Sequence, residues 1–185
     1  MRTANAHNAH IAPGETYDAT AGAAPNLSSV WTRRWKADPD ALQIHDADSG
    51  WIRRGGIEAA SAGRAGRLAG LGLSAGDRIL VSAESSADLV TSYVACLRMG
   101  LVVIPTNTAY RARELAHVIR DARPKAVIVD DSGRADLIEE IDPGLHRLEP
   151  ALALPTGPVP PLEAVPPASP ALISYTSGTP GQPQG

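Results

Sequence analysis

The chain has 185 residues, 43% of them hydrophobic and 20% charged, with a formal net charge of -3. That balance suits one substantial core and excludes a membrane-embedded bundle and a general electrostatic attraction to nucleic acid. Cys96 is the single cysteine, so no internal disulfide can form.

Aromatic residues make up only 4% of the chain and Phe is absent, so the core must rest on Leu, Val, Ile and Ala. The basic clusters Arg33, Arg34, Lys36 and Arg53, Arg54 read as solvated surface. Cys96 lies in the apolar run Tyr93–Leu97 and reads as a small core residue. The N-terminus has no continuous apolar targeting region, and no run approaches the roughly 18 residues of a membrane span. A cytoplasmic protein without a membrane span is the default expectation.

Residues 1–28 are rich in Ala, Asn, His, Gly and Thr without a clear period, and read as a mobile leader. His7 and His10 have the spacing of a helical metal pair. Pro13 and Gly14 follow, and no Cys or carboxylate is in register, so no metal site is assigned. From Val30 an apolar face begins with Trp31 and Trp35. Ala41–His45 alternates as a short strand, Asp46–Gly50 is turn-forming, and Trp51-Ile52 returns as a hairpin partner. Glu58–Leu71 is Ala-rich and helical, ended by Gly72–Gly76.

The next stretch carries the plainest pattern. Asp77–Ser82 reads as a buried strand. Ser86–Arg98 reads as a helix with Leu89, Val90, Tyr93, Val94 and Leu97 inward and the charge of Arg98 in water. Leu101–Pro105 is a second buried strand. Arg111–Ala122 is a helix with Leu115, Val118 and Ile119 inward. Ala126–Asp130 is a third strand, and Ala135–Ile141 a further short helix. Continuously apolar strands alternating with helices predict an α/β fold, a mainly parallel sheet flanked by helices. This unit spans residues 29–149. Residues 150–170 hold eight of the sixteen prolines and read as an extended connector. Residues 171–185 read as a last strand, Ala171–Tyr175, opening into a loop.

That loop, Thr176–Gly185, carries the chemistry. Gly178 and Gly181 have no Cβ to keep an oxyanion away from the backbone. Thr176, Ser177 and Thr179 supply hydroxyl donors, and Gln184 an amide. The Walker spacing is absent, so this is not a Walker-type loop. Composition alone reads equally as a frayed polar tail, and the apolar strand directly before it points to a folded loop. No catalytic residue and no metal ligand is assigned.

The segment Tyr175–Gly185 resembles the YTSGTTGxPKG signature of the adenylate-forming acyl-CoA synthetases, adenylation domains and luciferases. Upstream, Gly76–Val81 is similar to the family's GDRV-type strand. Gly100–Asn107 with Tyr110 and Glu114-Leu115 is similar to its G-x-x-x-x-P-x-N-x-x-Y-x-x-x-E-L pattern. The likeness covers roughly residues 37–185 and is weakest at Gly50–Gly56. It implies the partial N-terminal subdomain of such an enzyme, with Thr176, Ser177, Gly178, Thr179, Gly181 and Gln184 on the phosphates. It implies ATP with Mg²⁺, CoA and a small carboxylic acid as substrates, and no nucleic acid. The wording Asn107–Tyr110 leans towards malonyl- and fatty-acyl-CoA synthetases.

Two positions depart from the family. Gln184 stands for Lys and replaces an ammonium with a neutral amide. Pro180 stands for Thr and removes one N–H and one hydroxyl. The family's metal-binding carboxylate, adenine-stacking aromatic, ribose-binding Asp and catalytic Lys all follow this loop. The chain is therefore expected to be a fragment with little or no activity alone. The alternative is a non-catalytic α/β interaction module derived from the same half-fold, which Pro180 and Gln184 favour.

Overall fold

A computed structural model describes residues 25–152, 157–159 and 161–175. The leader's residues 1–24, with His7 and His10, lie outside the described residues. Helix α1 (Leu27–Ala37) begins two residues inside the stretch read as leader. The side-chain oxygen of Asn26 accepts from the Ser29 N–H at 2.8 Å and caps it.

Strands β1 (Leu42–Asp46) and β2 (Gly50–Arg53) form the expected antiparallel hairpin. Helix α2 (Arg54–Gly70) starts four residues before the expected Glu58. Gly55 and Gly56 weaken the helical signal there. Chain contacts supply what propensity does not: the N–H groups of Arg54 and Gly55 donate to the carbonyls of Ala41 and Pro39 at 3.0 and 2.9 Å.

Strand β3 (Arg78–Ser82), helix α3 (Ala87–Arg98), strand β4 (Val102–Pro105), helix α4 (Ala112–Ala122) and strand β5 (Ala126–Val129) follow in the expected alternation. Helix α5 (Ser132–Ile141) leads to β6 (His146–Leu148), a strand the sequence does not announce. Only Leu148 of its three residues is buried, so no apolar run marks it. The sheet order is β4-β3-β5-β6, all parallel. Ile79 pairs with Val103 on one side and with Ala126 on the other. Within the Pro-rich connector, Leu162–Ala164 forms a 3-10 turn instead of an extended run. The amide of Asn26 holds that turn by donating to the carbonyls of Leu162 and Val165, at 2.7 and 2.8 Å.

Alternation along β3 divides the core. Ile79 and Val81 face α2 and α3, where Ala65, Leu68, Ala95, Cys96 and Met99 pack. Leu80 faces α4 and α5, where Leu115, Val118, Ile119 and Ile138 pack. A third cluster of Trp35, Ile57 and Val94 supports the hairpin through Ile44 and Ile52.

Two expectations for α3 are corrected. Arg98 does not reach water; it is 4% exposed. Its guanidinium lies against Thr32 Oγ1 at 3.1 Å, with Ser61 Oγ and Glu58 Oε1 each at 3.5 Å. Helix α1 covers it, an arrangement no local pattern reveals. The inward face is also rotated: Val90 is exposed and Leu89 half-buried, while Thr91 and Ser92 are buried. Ser92 points inward because its hydroxyl donates to the Pro150 carbonyl and accepts from Arg64 at 3.1 Å. Arg111 and Arg113 are exposed, as expected.

Candidate functional site

Several residues of the family-like pattern build the frame around the strands. Gly100, after α3, has φ of +69°, and a Cβ there would meet Ala75 and Val165 side-chain atoms at 3.1 Å. A larger residue is therefore excluded twice, by backbone and by space. Its carbonyl accepts from the Gly76 N–H at 2.8 Å, tying the entries of β3 and β4 together. Asp77 accepts from the Ser74 N–H at 2.9 Å and pairs with Lys125 at 2.8 Å. At the other end Thr106 donates its N–H and its hydroxyl to the Val81 carbonyl, at 2.8 and 2.9 Å. Asn107 accepts from the Ala109 N–H at 2.9 Å in a side-chain-closed turn. Glu114 accepts from the Arg111 N–H at 3.1 Å and closes the first turn of α4, while Leu115 is wholly buried.

The expected last strand is present as a single parallel bridge, Leu172 beside Val103. The Val103 N–H donates to the Ala171 carbonyl and the Ile173 N–H to the Val103 carbonyl, both at 3.0 Å. The segment thus runs outside β4, at the opposite edge from β6. Ile173 and Tyr175 then turn onto the α4 side of the core. Tyr175, the first residue of the signature, donates its hydroxyl to Asp121 Oδ2. Its ring meets His117 edge-to-face, with centroids 6.3 Å apart and planes at 87°. His117 and Asp121 are four residues apart and share one side of α4. Burial pushes the phenol pKa above its ordinary value, and the Asp121 carboxylate adds to this while Arg78 opposes it. The hydroxyl is therefore a protonated donor throughout the neutral range. His117 and Asp121 also line an open groove of about 760 Å³ with Arg113 and Arg120.

The remaining signature residues, Thr176, Ser177, Gly178, Thr179, Gly181 and Gln184, lie outside the described residues, as does Pro180. Sequence reasoning missed the part played by Asp121 and His117. On an amphipathic helix two polar residues at this spacing read as ordinary surface. It also missed Ser82, whose hydroxyl is enclosed at the end of β3 without a partner among the described residues. Cys96 is fully buried, and burial pushes its thiol up to about 12, so it is a core residue and not a nucleophile. Among the described residues no group of three or more His, Cys, Asp or Glu side chains is arranged to hold a metal ion. Among them, too, no helix is long and apolar enough to cross a membrane.

A family model for AMP-binding enzymes matches residues 31–185. A sulfoacetate–CoA ligase from Cupriavidus necator is 32% identical over 193 residues, covering 96% of this chain and 36% of the ligase. A probable non-canonical nonribosomal peptide synthetase, CymA of Salinispora arenicola, is 30% identical over 163 residues, covering 86% of this chain and 2% of the synthetase. The apo structure of Mycobacterium smegmatis MbtA superposes with a TM-score of 0.76 at 28% identity, over 86% of this chain and 32% of MbtA. The chain thus spans about a third of MbtA and of the ligase, and a far smaller part of the synthetase.

Proposed function

The chain belongs to the AMP-binding family of adenylate-forming enzymes, with the fold of their N-terminal subdomain, and we propose on that premise that it is the phosphate-loop-bearing part of an ATP-dependent acyl-CoA ligase. The observation that carries the proposal is the signature Tyr175–Gly185, set directly after the segment that pairs with β4. The 32% identity to a CoA ligase over nearly the whole chain supports the thioester branch. The chain is also similar to a probable nonribosomal peptide synthetase, so the fatty-acyl lean of Asn107–Tyr110 gains no support.

In the proposed reaction a carboxylate oxygen of the acid attacks the α-phosphorus of ATP and pyrophosphate leaves. The sulfur of CoA then attacks the acyl carbon, AMP leaves, and the thiol proton is released. Thr176, Ser177 and Thr179 donate hydroxyl hydrogen bonds to the departing phosphates. Gly178 and Gly181 keep side chains out of their way, and Gln184 donates its amide. ATP enters as its Mg²⁺ complex.

Gln184→Lys in the full-length gene product tests this. Hydrogen bonds to charged groups contribute roughly 1.5–3 kcal/mol against about 1 kcal/mol for a neutral pair, so restoring the ammonium should tighten ATP by about 2- to 30-fold. Acid-dependent ATP–pyrophosphate exchange should improve by that order, and thiol transfer from preformed acyl-adenylate should not change. No exchange with any acid, before and after the substitution, would instead favour the non-catalytic module that Pro180 and Gln184 suggest.

A further inference from the structure

We infer that Asp121, with His117, is a positioning residue for the phosphate loop, acting through Tyr175 where the hydroxyl-rich sequence begins. The inference rests on the phosphate-loop reading above. It also needs the geometry on α4, which the family signature does not contain.

Backbone pairing holds the approach to the loop weakly. Among the described residues, two hydrogen bonds to Val103 fix Ala171 and Ile173, and the pairing stops there. Beyond Ile173 the side chains take over. Tyr175 has two side-chain partners on α4: the Asp121 carboxylate at its hydroxyl and the His117 imidazole edge-to-face with its ring. A phenol donating to a carboxylate is a charge-assisted bond and is directional. It sets where the chain leaves α4 one residue before Thr176. Helix α4 is itself fixed by Leu115, Val118 and Ile119 in the core. Tyr175 thus refers the start of the loop to the parallel sheet through a rigid helix. A loop whose first residue is free must be ordered by ATP alone, and that ordering opposes binding.

Amide hydrogen exchange of residues 176–185 in the full-length gene product decides the matter, for wild type, Tyr175→Phe, Asp121→Ala and the double variant. Each single change should speed exchange there about three- to tenfold, below the range for a buried bond to a charged partner because Asp121 is solvent-exposed. The double variant should be no faster than the faster single one, and β3 and β5 should be unaffected. In pyrophosphate exchange the KM for ATP should rise by a similar factor while the KM for the acid holds. Asp121→Glu, which keeps an acceptor, should recover part of the loss. Unchanged exchange at 176–185 in Tyr175→Phe overturns the inference. So does a double effect equal to the product of the singles, or an equal acceleration in β3 and β5. Wild-type protein that activates no acid overturns the functional reading instead, and hydrogen exchange then decides the anchor by itself.

Discussion

On one side of the sheet α2 and α3 bury Ser61, Arg64, Thr91, Ser92 and Arg98 among their apolar residues; on the other, α4 and α5 bury only Leu, Val, Ile and Ala. The first side is built by close approach. The backbone of Gly66 passes so near Gly157 that a Cβ on either would lie within 2.7 Å of the other's carbonyl oxygen. Elements packed this closely leave little room for hydrocarbon, and they bring backbone carbonyls inward that need donors. Ser92 supplies one to the Pro150 carbonyl, and Arg64 adds a bond to the Asp88 carbonyl in the first turn of α3. The α4 side is a conventional amphipathic layer, whose outer surface stays available to hold Tyr175. One face consolidates the fold; the other carries the connection to the loop.

Breaking a buried charge should separate the two faces most sharply. Arg98 and Glu58 are 3.5 Å apart, with side chains 5% and 17% exposed. Arg98→Ala removes the donor that Glu58, Thr32 and Ser61 share, leaves Glu58 with Lys36 at 3.6 Å, and should cost towards the lower end of about 3–5 kcal/mol, read from the denaturant midpoint. Arg120→Ala, on the exposed surface of α4, should stay within about 0.5 kcal/mol. Equal effects would mean that the buried arginine is not what closes the α2–α3 side.

Leu115→Ala probes the opposite face. The side chain is wholly buried, and the substitution should cost about 2–5 kcal/mol from lost transfer and the cavity left behind. Hydrogen exchange should accelerate in α4 and β5 before β6. Since α4 carries Asp121, the same variant should also loosen Tyr175, which ties stability on this face to the loop.

The same contrast explains what the sequence discloses. Helix α4 is legible because its inward residues Leu115, Val118, Ile119 and Ala122 repeat at helical spacing without interruption. Strands β3, β4 and β5 are legible because they are buried on both sides. The inner face of α3 is misread because the Ser92 hydroxyl satisfies a carbonyl 58 residues away and the Thr91 hydroxyl one of its own helix. Arg98 is misread for the same reason: its enclosure depends on α1, 66 residues earlier. β6 escapes because an edge strand of three residues needs no apolar run. At the candidate site, the signature names the loop residues by type, whereas the partners of Tyr175 are set by tertiary packing and leave no local mark.

The smallest expected effect concerns Asp46, where the hairpin meets the α3 side. One carboxylate oxygen accepts from the N–H groups of Asp48 and Ser49, at 3.0 and 2.9 Å, closing the β1–β2 turn. The other accepts from the Ala87 N–H at 2.9 Å, at the first turn of α3. These bonds, the one from the Ser49 N–H foremost, hold the carboxyl at about 2, below its ordinary 3.8. Between those two values the unfolded chain binds the proton and the folded chain does not, so stability rises with pH across that window. The contribution is complete above the ordinary carboxylate value and is lost as pH falls through about 2. Asp46→Asn should therefore lower the denaturation midpoint at pH 5 to 7, and the gap from wild type should narrow as pH falls from 4 to 2. Unfolding curves for both proteins at pH 2, 3, 5 and 7 check this. A gap that stays constant across the series would mean that Asp46 acts by shape alone, and that the hairpin is held to α3 by the apolar contacts of Ile44 and Ile52.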